Sequence, residues 1–168
     1  IRRVRFLTSH PLFMKPALLD AMRDLPKVCK YLHLPPQSGS DRILQAMRRG
    51  YTAERYLETC ERLRAEVPGI EIAGDIIVGF PGETEEDFDR TAALLERARF
   101  QNAFLFKYSA RPGTVSAALP DDVPAAEKKR RHQVLLDLQE RISLEKNREW
   151  MGRRVEILGE GRSKRDSK

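Results

Sequence analysis

The sequence predicts an α/β fold in which parallel strands alternate with helices, as in one part of a (βα) barrel. Two observations support this class. Short apolar runs alternate along the chain with segments of helical periodicity. One run, IAGDIIVG at residues 72–79, is apolar nearly throughout, which is typical of a parallel strand covered on both faces. Four strand–helix units are recognisable, so the predicted sheet is about half of an eight-stranded barrel.

The predicted strands cover residues 4–7, 31–34, 72–79 and 103–108. Helices are predicted between them, with Ser40, Thr52 and Thr84 as caps. Thr84 and Asp87 also have the spacing of a capping box. The residues predicted to face the sheet are Ile43, Leu44 and Met47 in the first helix, Tyr56, Cys60 and Leu63 in the second, and Phe88, Ala92 and Leu95 in the third.

A longer last helix is predicted over residues 124–149, with an apolar side formed by Val134, Leu135, Leu138 and Ile142. Its first turns carry the basic run KKRR at 128–131, which either binds phosphate or forms a solvated helix face, the commoner case. The predicted organisation is a barrel portion over 1–123, a linker helix over 124–151 and the start of another domain over 152–168. A strand is predicted at 155–158 in that last segment.

Composition excludes several classes of protein. The chain has 168 residues, 40% of them apolar, and no apolar run approaches the ~20 residues of a membrane span. Its two cysteines, Cys29 and Cys60, form no CxxC pair and are predicted to be small core residues in a reducing, cytoplasmic environment. The net charge of +6 is concentrated near the end, where residues 127–168 hold 13 basic and 8 acidic side chains. Strand-like runs close to both ends lead us to expect a piece of a longer protein.

Polar loops follow the predicted strands, at residues 8–11, 35–40, 79–84 and 108–114. Ligands of parallel α/β folds bind at the carboxyl ends of the strands, so these loops are the predicted ligand site. Their Gly, Ser and Gln residues let a nucleoside or an amino-acid-like ligand approach the backbone. Ordinary βα turns explain each loop equally well when it is taken singly. The loop at 79–84, GFPGET, lacks the Gly-Lys-Ser/Thr of a nucleotide P-loop.

Four individual residues have both a structural and a functional interpretation. His10 ends a predicted strand and is placed to donate a hydrogen bond to a ligand, or else serves only its own turn. His33, inside an apolar strand, is predicted to be a core histidine with a hydrogen-bonded ring. Asp75 lies in mid-strand, where a buried carboxylate needs a partner, and structural pairing is predicted. His132, among lysines and arginines, is predicted to be solvated.

Four segments occur together in a characteristic order. They are TSHP at 8–11, HLPPQSGSDRILQAMRRGYT at 33–52, DIIVGFPGETEEDF at 75–88 and FKYSARPGT at 106–114. In this order they resemble the methylthiotransferase family of radical S-adenosylmethionine (SAM) enzymes. QSGSD and GFPGET indicate only the superfamily, whereas TSHP and FKYSARPGT favour the members that modify tRNA. LQERISLEKNREWMG and VEILGEGRSKRD are similar to the family's linker and to the start of its RNA-binding TRAM domain.

The resemblance implies the family's chemistry. SAM bound at a [4Fe–4S] cluster yields a 5′-deoxyadenosyl radical, which abstracts hydrogen from C2 of N6-isopentenyladenosine at position 37 of tRNA, where a methylthio group is installed. The family holds that cluster with a CxxxCxxC motif and a second [4Fe–4S] cluster with three further cysteines, and this sequence contains none of them. We therefore expect barrel strands three to six, cluster ligands upstream of Ile1, and no catalysis by the fragment alone.

The resemblance also implies site residues. SAM is expected at Gln37, Ser38 and Gly39 and along the backbone of Val78, Gly79, Phe80, Pro81 and Gly82. Glu83 is expected to fix the turn or cap the following helix, and Pro36, where the family has Val, stiffens its loop. Lys107 and Arg111 are expected to hold RNA phosphate or the SAM carboxylate. The full set expected to contact tRNA is His10, Lys107, Arg111, Arg153, Arg154, Arg162, Lys164 and Arg165.

Two other functions stay open at this point. A methylthiotransferase of the same family could act on threonylcarbamoyl-adenosine in tRNA or on a ribosomal protein. A non-catalytic RNA-binding module is the alternative of another class, because the cluster cysteines are absent and the end of the chain is basic. The expected partner is tRNA, without a membrane, and a monomer is expected.

Overall fold

The computed structural model describes residues 1–7, 10–157, 159 and 161. Three parallel strands form a sheet in the order β1-β2-β3. They are β1 (Tyr31–His33), β2 (Glu71–Val78) and β3 (Asn102–Lys107). Helices connect consecutive strands, as parallel pairing requires. The predicted α/β class is therefore confirmed.

The strand predicted at residues 4–7 is wrong except for Val4, which forms an isolated parallel bridge with Val28. The Val4 N–H donates to the Lys27 oxygen at 2.7 Å, and the Cys29 N–H donates to the Val4 oxygen at 2.9 Å. Residues 5–7 then leave the sheet, so the ladder stops after one step. The described residues form a three-stranded sheet and two isolated bridges, Val4–Val28 and Gln37–Ile76, in place of four predicted strands.

Five α-helices and two short 3₁₀ turns lie in the described part of the chain. Ser40, Thr52 and Thr84 cap α2, α3 and α4 as predicted, and both bonds of the predicted capping box are present. Helix α1 went unpredicted because no side chain caps its first turn. The helices are α1 (Pro16–Asp24), α2 (Asp41–Ala46), α3 (Ala53–Glu66), α4 (Glu85–Ala98) and α5 (Ala125–Arg148), and the 3₁₀ turns are Pro11–Phe13 and Val115–Ala118.

The core lies between one face of the sheet and the helices. Leu32, Ile72 and Ile76 of the sheet join residues of α3, α4 and α5 in one hydrophobic cluster. The opposite face of the sheet has no helix against it in the described residues, and Phe104 and Phe106 there are 47% and 49% exposed. The helices thus leave one face of the sheet open.

Helix α5 packs largely on its predicted side, because Leu135 and Ile142 are buried and Leu138 packs against the core, but Val134 is wrong. Its buried residues are Lys128, Arg131, Leu135, Gln139 and Ile142, whereas Val134 is 40% exposed. The burial of Lys128 and Arg131 was not predicted, because both cations find acidic partners in other segments, which no local pattern indicates. His132 is likewise half-buried rather than solvated, with its Nε2 2.9 Å from the Leu105 oxygen.

The segment after α5 forms neither helix nor strand at residues 153–157. The predicted strand is therefore wrong at 155–157, where Glu156 contacts Arg3 through its side chain and no described backbone partner builds a ladder. Leu158, the last residue of that prediction, lies outside the described residues. Among the described helices, none combines the length and the apolar character needed to cross a membrane.

Candidate functional site

An open cavity of about 740 Å³ lies at the carboxyl ends of β2 and β3, on the open face of the sheet. This is the edge at which the sequence predicts a ligand, and the volume is typical of small-molecule sites. The lining is aromatic and cationic, with one carboxylate. Its chemically distinctive members are Gln37, Asp75, Phe80, Phe106, Tyr108, Arg48, Arg49, Lys107 and Arg111.

Gln37 brings the loop after β1 to the cavity. Its backbone adds one step to the sheet, because its N–H donates to the Asp75 oxygen and its oxygen accepts from the Ile77 N–H, both at 2.9 Å. Gln37 is buried and has a φ of 69°, a left-handed conformation that is uncommon for residues other than glycine. Backbone strain of this kind is often found at ligand sites.

Ser38 and Gly39 hold the same loop against α4. The Ser38 Oγ lies 3.2 Å from the Thr91 Oγ1, and the Gly39 N–H donates to that oxygen at 3.0 Å. A Cβ on residue 39 would lie 2.3 Å from the Arg90 oxygen, so only glycine permits this approach. Of the three residues expected at SAM in this loop, Gln37 lines the cavity and the other two anchor it to α4.

The loop after β2 reaches the cavity through Phe80, whereas Val78, Gly79, Pro81 and Gly82, which were also expected at SAM, lie outside the cavity lining. Gly79 and Gly82 have φ values of 72° and 78°, which this tight turn requires. The Gly82 N–H donates to Asp122 Oδ1 at 2.6 Å, and its oxygen accepts from Arg42 at 2.6 Å. The Phe80 ring lines the cavity and packs edge-on against Tyr108, with 5.1 Å between ring centroids.

Glu83 fixes this turn from inside, in agreement with the expectation from the sequence. Its Oε2 accepts from the Gly79 N–H at 2.5 Å and from Arg131 Nη1 at 2.8 Å. Burial raises the pKa of the Glu83 carboxyl, although the Gly79 N–H and the Arg131 guanidinium oppose that shift. Arg131 belongs to α5, and the sequence did not indicate this contact because the two residues lie 48 positions apart.

Four cations surround the opening of the cavity. Lys107 and Arg111 are predicted site residues, whereas Arg48 and Arg49, in the turn after α2, were missed because their sequence resembles ordinary surface charge. No ion pair within the described residues engages any of the four, although Arg42 nearby is paired with Asp87. The cavity therefore suits a ligand that carries negative charge.

His33 and Asp75 lie side by side on the open face of the sheet, as neighbours on β1 and β2. The His33 Nε2 is 2.8 Å from Asp75 Oδ1, and the His33 ring packs edge-on against Phe104. The predicted structural pairing of Asp75 is confirmed, and His33 has the predicted hydrogen bond. Asp75 also lines the cavity, which the strand pattern alone did not indicate.

His10 caps the first 3₁₀ turn, where its Nδ1 accepts from the Leu12 N–H at 3.3 Å. Burial and the nearby Arg49 lower its pKa. Its ring packs edge-on against Tyr51, whose hydroxyl donates to the Pro36 oxygen at 3.0 Å. Burial raises the pKa of Tyr51 to about 12. His10 is placed outside the cavity lining, and its contact with tRNA stays a prediction.

The basic residues of the last quarter divide into two groups. Lys128, Arg130 and Arg131 are paired with Asp121, Glu85 and Glu83. Because Lys128 and Arg131 are buried, both the phosphate-binding and the solvated-face interpretations of the run at 128–131 are wrong for these two residues. Arg153 and Arg154 are exposed after α5. The other predicted tRNA contacts, Arg162, Lys164 and Arg165, lie outside the described residues.

The described residues suit SAM but do not suit an iron–sulfur cluster. Cys60 is buried, which raises its pKa to about 11, and Cys29 is half-buried elsewhere. Within the described ranges, no three His, Cys, Asp or Glu side chains are placed to hold a metal ion. The cavity, in contrast, offers aromatic surface for an adenine and several cations for a carboxylate.

A parallel α/β sheet with a cavity at the carboxyl ends of its strands is typical of barrel-type proteins, whose ligands bind at that edge. The family model for the radical SAM superfamily matches residues 1–95, which is more than half of the chain. The chain belongs to the radical SAM superfamily.

Several similar curated relatives are named tRNA-2-methylthio-N(6)-dimethylallyladenosine synthase. The relative from Thermoanaerobacter sp. is 56% identical over 167 residues, and that from Methylacidiphilum infernorum is 50% identical over 167 residues. Each alignment covers 99% of this chain and 36% of the relative. The chain thus spans about a third of the length of the curated relatives it matches.

Among solved structures, coproporphyrinogen III oxidase (HemN) from Escherichia coli, described as a radical SAM enzyme, has a similar fold. Its TM-score is 0.63 at 18% identity, and the match covers 79% of this chain and 31% of HemN. At this identity the match shows the fold alone. It supports the assignment of the three-stranded sheet as part of a radical SAM barrel.

Proposed function

We propose that this chain is a later part of the barrel of a tRNA methylthiotransferase, which installs a methylthio group at C2 of N6-isopentenyladenosine at position 37. The observation that carries the proposal is 50–56% identity along 99% of the chain to synthases of that one name. The reaction takes place in the cytoplasm, where the tRNA is.

The cavity is the proposed SAM site. When bound with an iron–sulfur cluster held by other residues of the protein, SAM supplies a 5′-deoxyadenosyl radical. Gln37 and Phe80, which both line the cavity, are proposed to contact its adenosine portion. The rest of the backbone of residues 78–82 is proposed to hold Phe80 in place. Ser38 and Gly39 are proposed to hold Gln37 in place, because both contact the Thr91 side chain of α4. What supports this placement is that both loops border one cavity of suitable size.

The cations around the cavity are the proposed contacts to the anticodon loop. A target base can reach a radical only if it leaves its stack, and the flanking phosphates then need positive partners. Lys107, Arg111 and Arg49 line the cavity and are the proposed partners of these phosphates. Arg153, Arg154, Arg162, Lys164 and Arg165 are proposed to extend this contact along the tRNA.

The test uses the full-length protein, reconstituted anaerobically with iron and sulfide. Isopentenylated tRNA is incubated with SAM and reductant, and its nucleosides are analysed by mass spectrometry. We expect 2-methylthio-N6-isopentenyladenosine, dependent on SAM and iron. Cleavage of SAM without this product would overturn the substrate assignment, and assays with threonylcarbamoyl-adenosine tRNA and a ribosomal protein would then identify the substrate. Absence of both SAM cleavage and product, with tRNA still bound, would indicate an RNA-binding module.

Exchange of Lys107 and Arg111 for alanine tests the RNA contacts in the same protein. We expect tRNA affinity to fall about tenfold and the slope of log affinity against log salt to fall by about 1 to 2, because each residue neutralises one phosphate. Binding is measured by filter retention between low and moderate salt. The matched control is Lys129→Ala, an exposed cation on α5 outside the cavity. Equal slopes for the wild type and the double variant would exclude both phosphate contacts.

A further inference from the structure

Helix α5 contributes two buried cations to the outer side of the loop after β2. Lys128 and Arg131 are 7% and 5% exposed and lie one turn apart. Buried cations persist only with well-placed partners, because their desolvation is costly. Arg131 pairs with Glu83 and Lys128 pairs with Asp121. Glu83 ends the loop at residues 79–83, and Phe80 of this loop lines the proposed SAM site.

Arg131 reaches the loop through Glu83. Its Nη1 donates to Glu83 Oε2 at 2.8 Å and to the Glu83 backbone oxygen at 3.0 Å. The same Oε2 accepts from the Gly79 N–H, while Oε1 is buried with no hydrogen-bond partner among the described residues. One carboxylate oxygen therefore connects α5 to the first residue of the loop, and Arg131 fixes the orientation of the Glu83 side chain.

Lys128 covers the same loop from the outside. A Cβ on Gly79 would lie 2.4 Å from the Lys128 Cγ, so the lysine stem packs directly on the glycine. The Lys128 Nζ donates to Asp121 at 2.5 Å and lies over the Tyr108 ring. Tyr108 packs against Phe80, so this side chain supports two rings of the cavity wall.

We propose that Arg131 is a positioning residue for SAM, acting through Glu83 to hold the backbone of residues 79–82 in its binding conformation. Helix α5 then serves as an outer support of the cofactor site and not only as a connection to the segment after it. The inference rests on the proposed placement of SAM in the cavity, and it does not depend on which substrate is methylthiolated.

The experiment compares two neighbouring arginines of α5 in the full-length, reconstituted protein. Arg131→Met keeps the length of the side chain and removes its charge and donors, whereas Arg130→Met is the matched control, because Arg130 pairs with Glu85 and Glu127 at the surface. We expect Arg131→Met to weaken the Kd for SAM at least tenfold, measured by equilibrium dialysis, and Arg130→Met to stay within twofold of wild type.

A second comparison separates positioning from general stability. In the double variant Glu83→Gln with Arg131→Met, the amide oxygen still accepts from Gly79 and no buried charge is left unpaired, so we expect SAM affinity to recover to within threefold of wild type. Unfolding temperatures are measured in parallel. If Arg131→Met lowers the unfolding temperature while its Kd for SAM equals that of Arg130→Met, the positioning role is refuted.

Three further outcomes have defined meanings. If Arg131→Met fails to fold, Arg131→Lys is measured instead, because lysine cannot donate to both the backbone oxygen and Oε2 of Glu83 in the same geometry. We expect Arg131→Lys to bind SAM at least threefold more weakly than wild type. Unchanged SAM binding would refute the positioning role of Arg131. Wild-type protein that binds no SAM refutes both the SAM placement and this inference. Loss of SAM affinity in Arg131→Met together with no tRNA product in wild type would refute the tRNA assignment alone.

Discussion

Gly39 shows how one missing side chain determines the position of a loop. Its amide donates to Thr91, and its Cα lies so close to α4 that a Cβ would be 2.3 Å from the Arg90 oxygen and 2.6 Å from the Thr91 Cα. Gln37, which lies two residues earlier in the same loop, has a left-handed φ of 69°. The position of a cavity residue thus depends on a glycine two residues away.

We expect Gly39→Ala to lower the free energy of unfolding by about 2 to 3 kcal/mol, because α4 backbone atoms cannot move away. The measurement is urea unfolding followed by circular dichroism. Gly113→Ala is the control, since Gly113 has a φ of 82° but no described atom within 4 Å of where a Cβ would lie. That variant should cost only the ~1 to 2 kcal/mol of a left-handed alanine. Equal losses in the two variants would show that the contact with α4 is not tight.

Cys60 differs from Cys29 in ways that thiol chemistry detects. Cys60 is fully buried on α3, and burial raises its pKa to about 11, so little thiolate exists near pH 8. We expect iodoacetamide at pH 8 to label the half-buried Cys29 first and to reach Cys60 only on unfolding. Peptide mass spectrometry with and without urea measures this order. Labelling of native Cys60 at the rate of Cys29 would contradict the buried position.

At the scale of single elements, the helix starts were predictable and the helix partners were not. Ser40, Thr52 and Thr84 indicate α2, α3 and α4 because a cap acts within three residues of itself. The pairing of Arg131 with Glu83 joins residues from two elements, so neither segment alone reveals it. The motifs likewise indicated which loops border the cavity, but not the direction of single side chains. The Ser38 side chain contacts α4, whereas Arg49 lines the cavity.

Asp87 makes the start of α4 sensitive to acid. Burial would raise the pKa of this carboxyl, but hydrogen bonds from Arg42, Ser40 and Thr84 outweigh burial and hold the pKa well below its usual value of 3.8. A carboxyl with a lowered pKa in the folded state stabilises the fold above its unfolded pKa, and this stability is lost as the pH falls. The contribution is therefore complete above about pH 5 and declines below about pH 4.

We expect Asp87→Asn to lower the free energy of unfolding at pH 7 by about 2 to 3 kcal/mol, through loss of the capping box and of charged hydrogen bonds. The difference between variant and wild type should shrink from pH 5 toward pH 2. Urea unfolding across this range measures both effects, and Asp89→Asn, at an exposed position of the same helix, is the control. A difference that stays constant with pH would assign the stabilisation to shape rather than to charge.

At the scale of the whole molecule, the described sheet has one covered face and one open face. Helices α3, α4 and α5 join one side of the sheet in the core, while Phe104 and Phe106 are half-exposed on the other. These two rings lie on β3, which is an edge strand of the described sheet. An edge strand with exposed apolar side chains invites pairing with another chain. This open face also carries the cavity at the carboxyl ends of β2 and β3.

We expect this 168-residue chain, expressed on its own, to self-associate through that face as its concentration rises. Replacement of both Phe104 and Phe106 by Ser should shift the midpoint of association at least tenfold upward, because it removes most of the exposed aromatic surface of β3. Val134→Ser on the outer side of α5, also 40% exposed, is the control and should leave association unchanged. Sedimentation equilibrium over a hundredfold range of concentration gives the midpoints. Association that persists unchanged in the double variant would locate the contact elsewhere. In the full-length protein, we expect the same two substitutions to change the ligand cavity but not the oligomeric state of the protein.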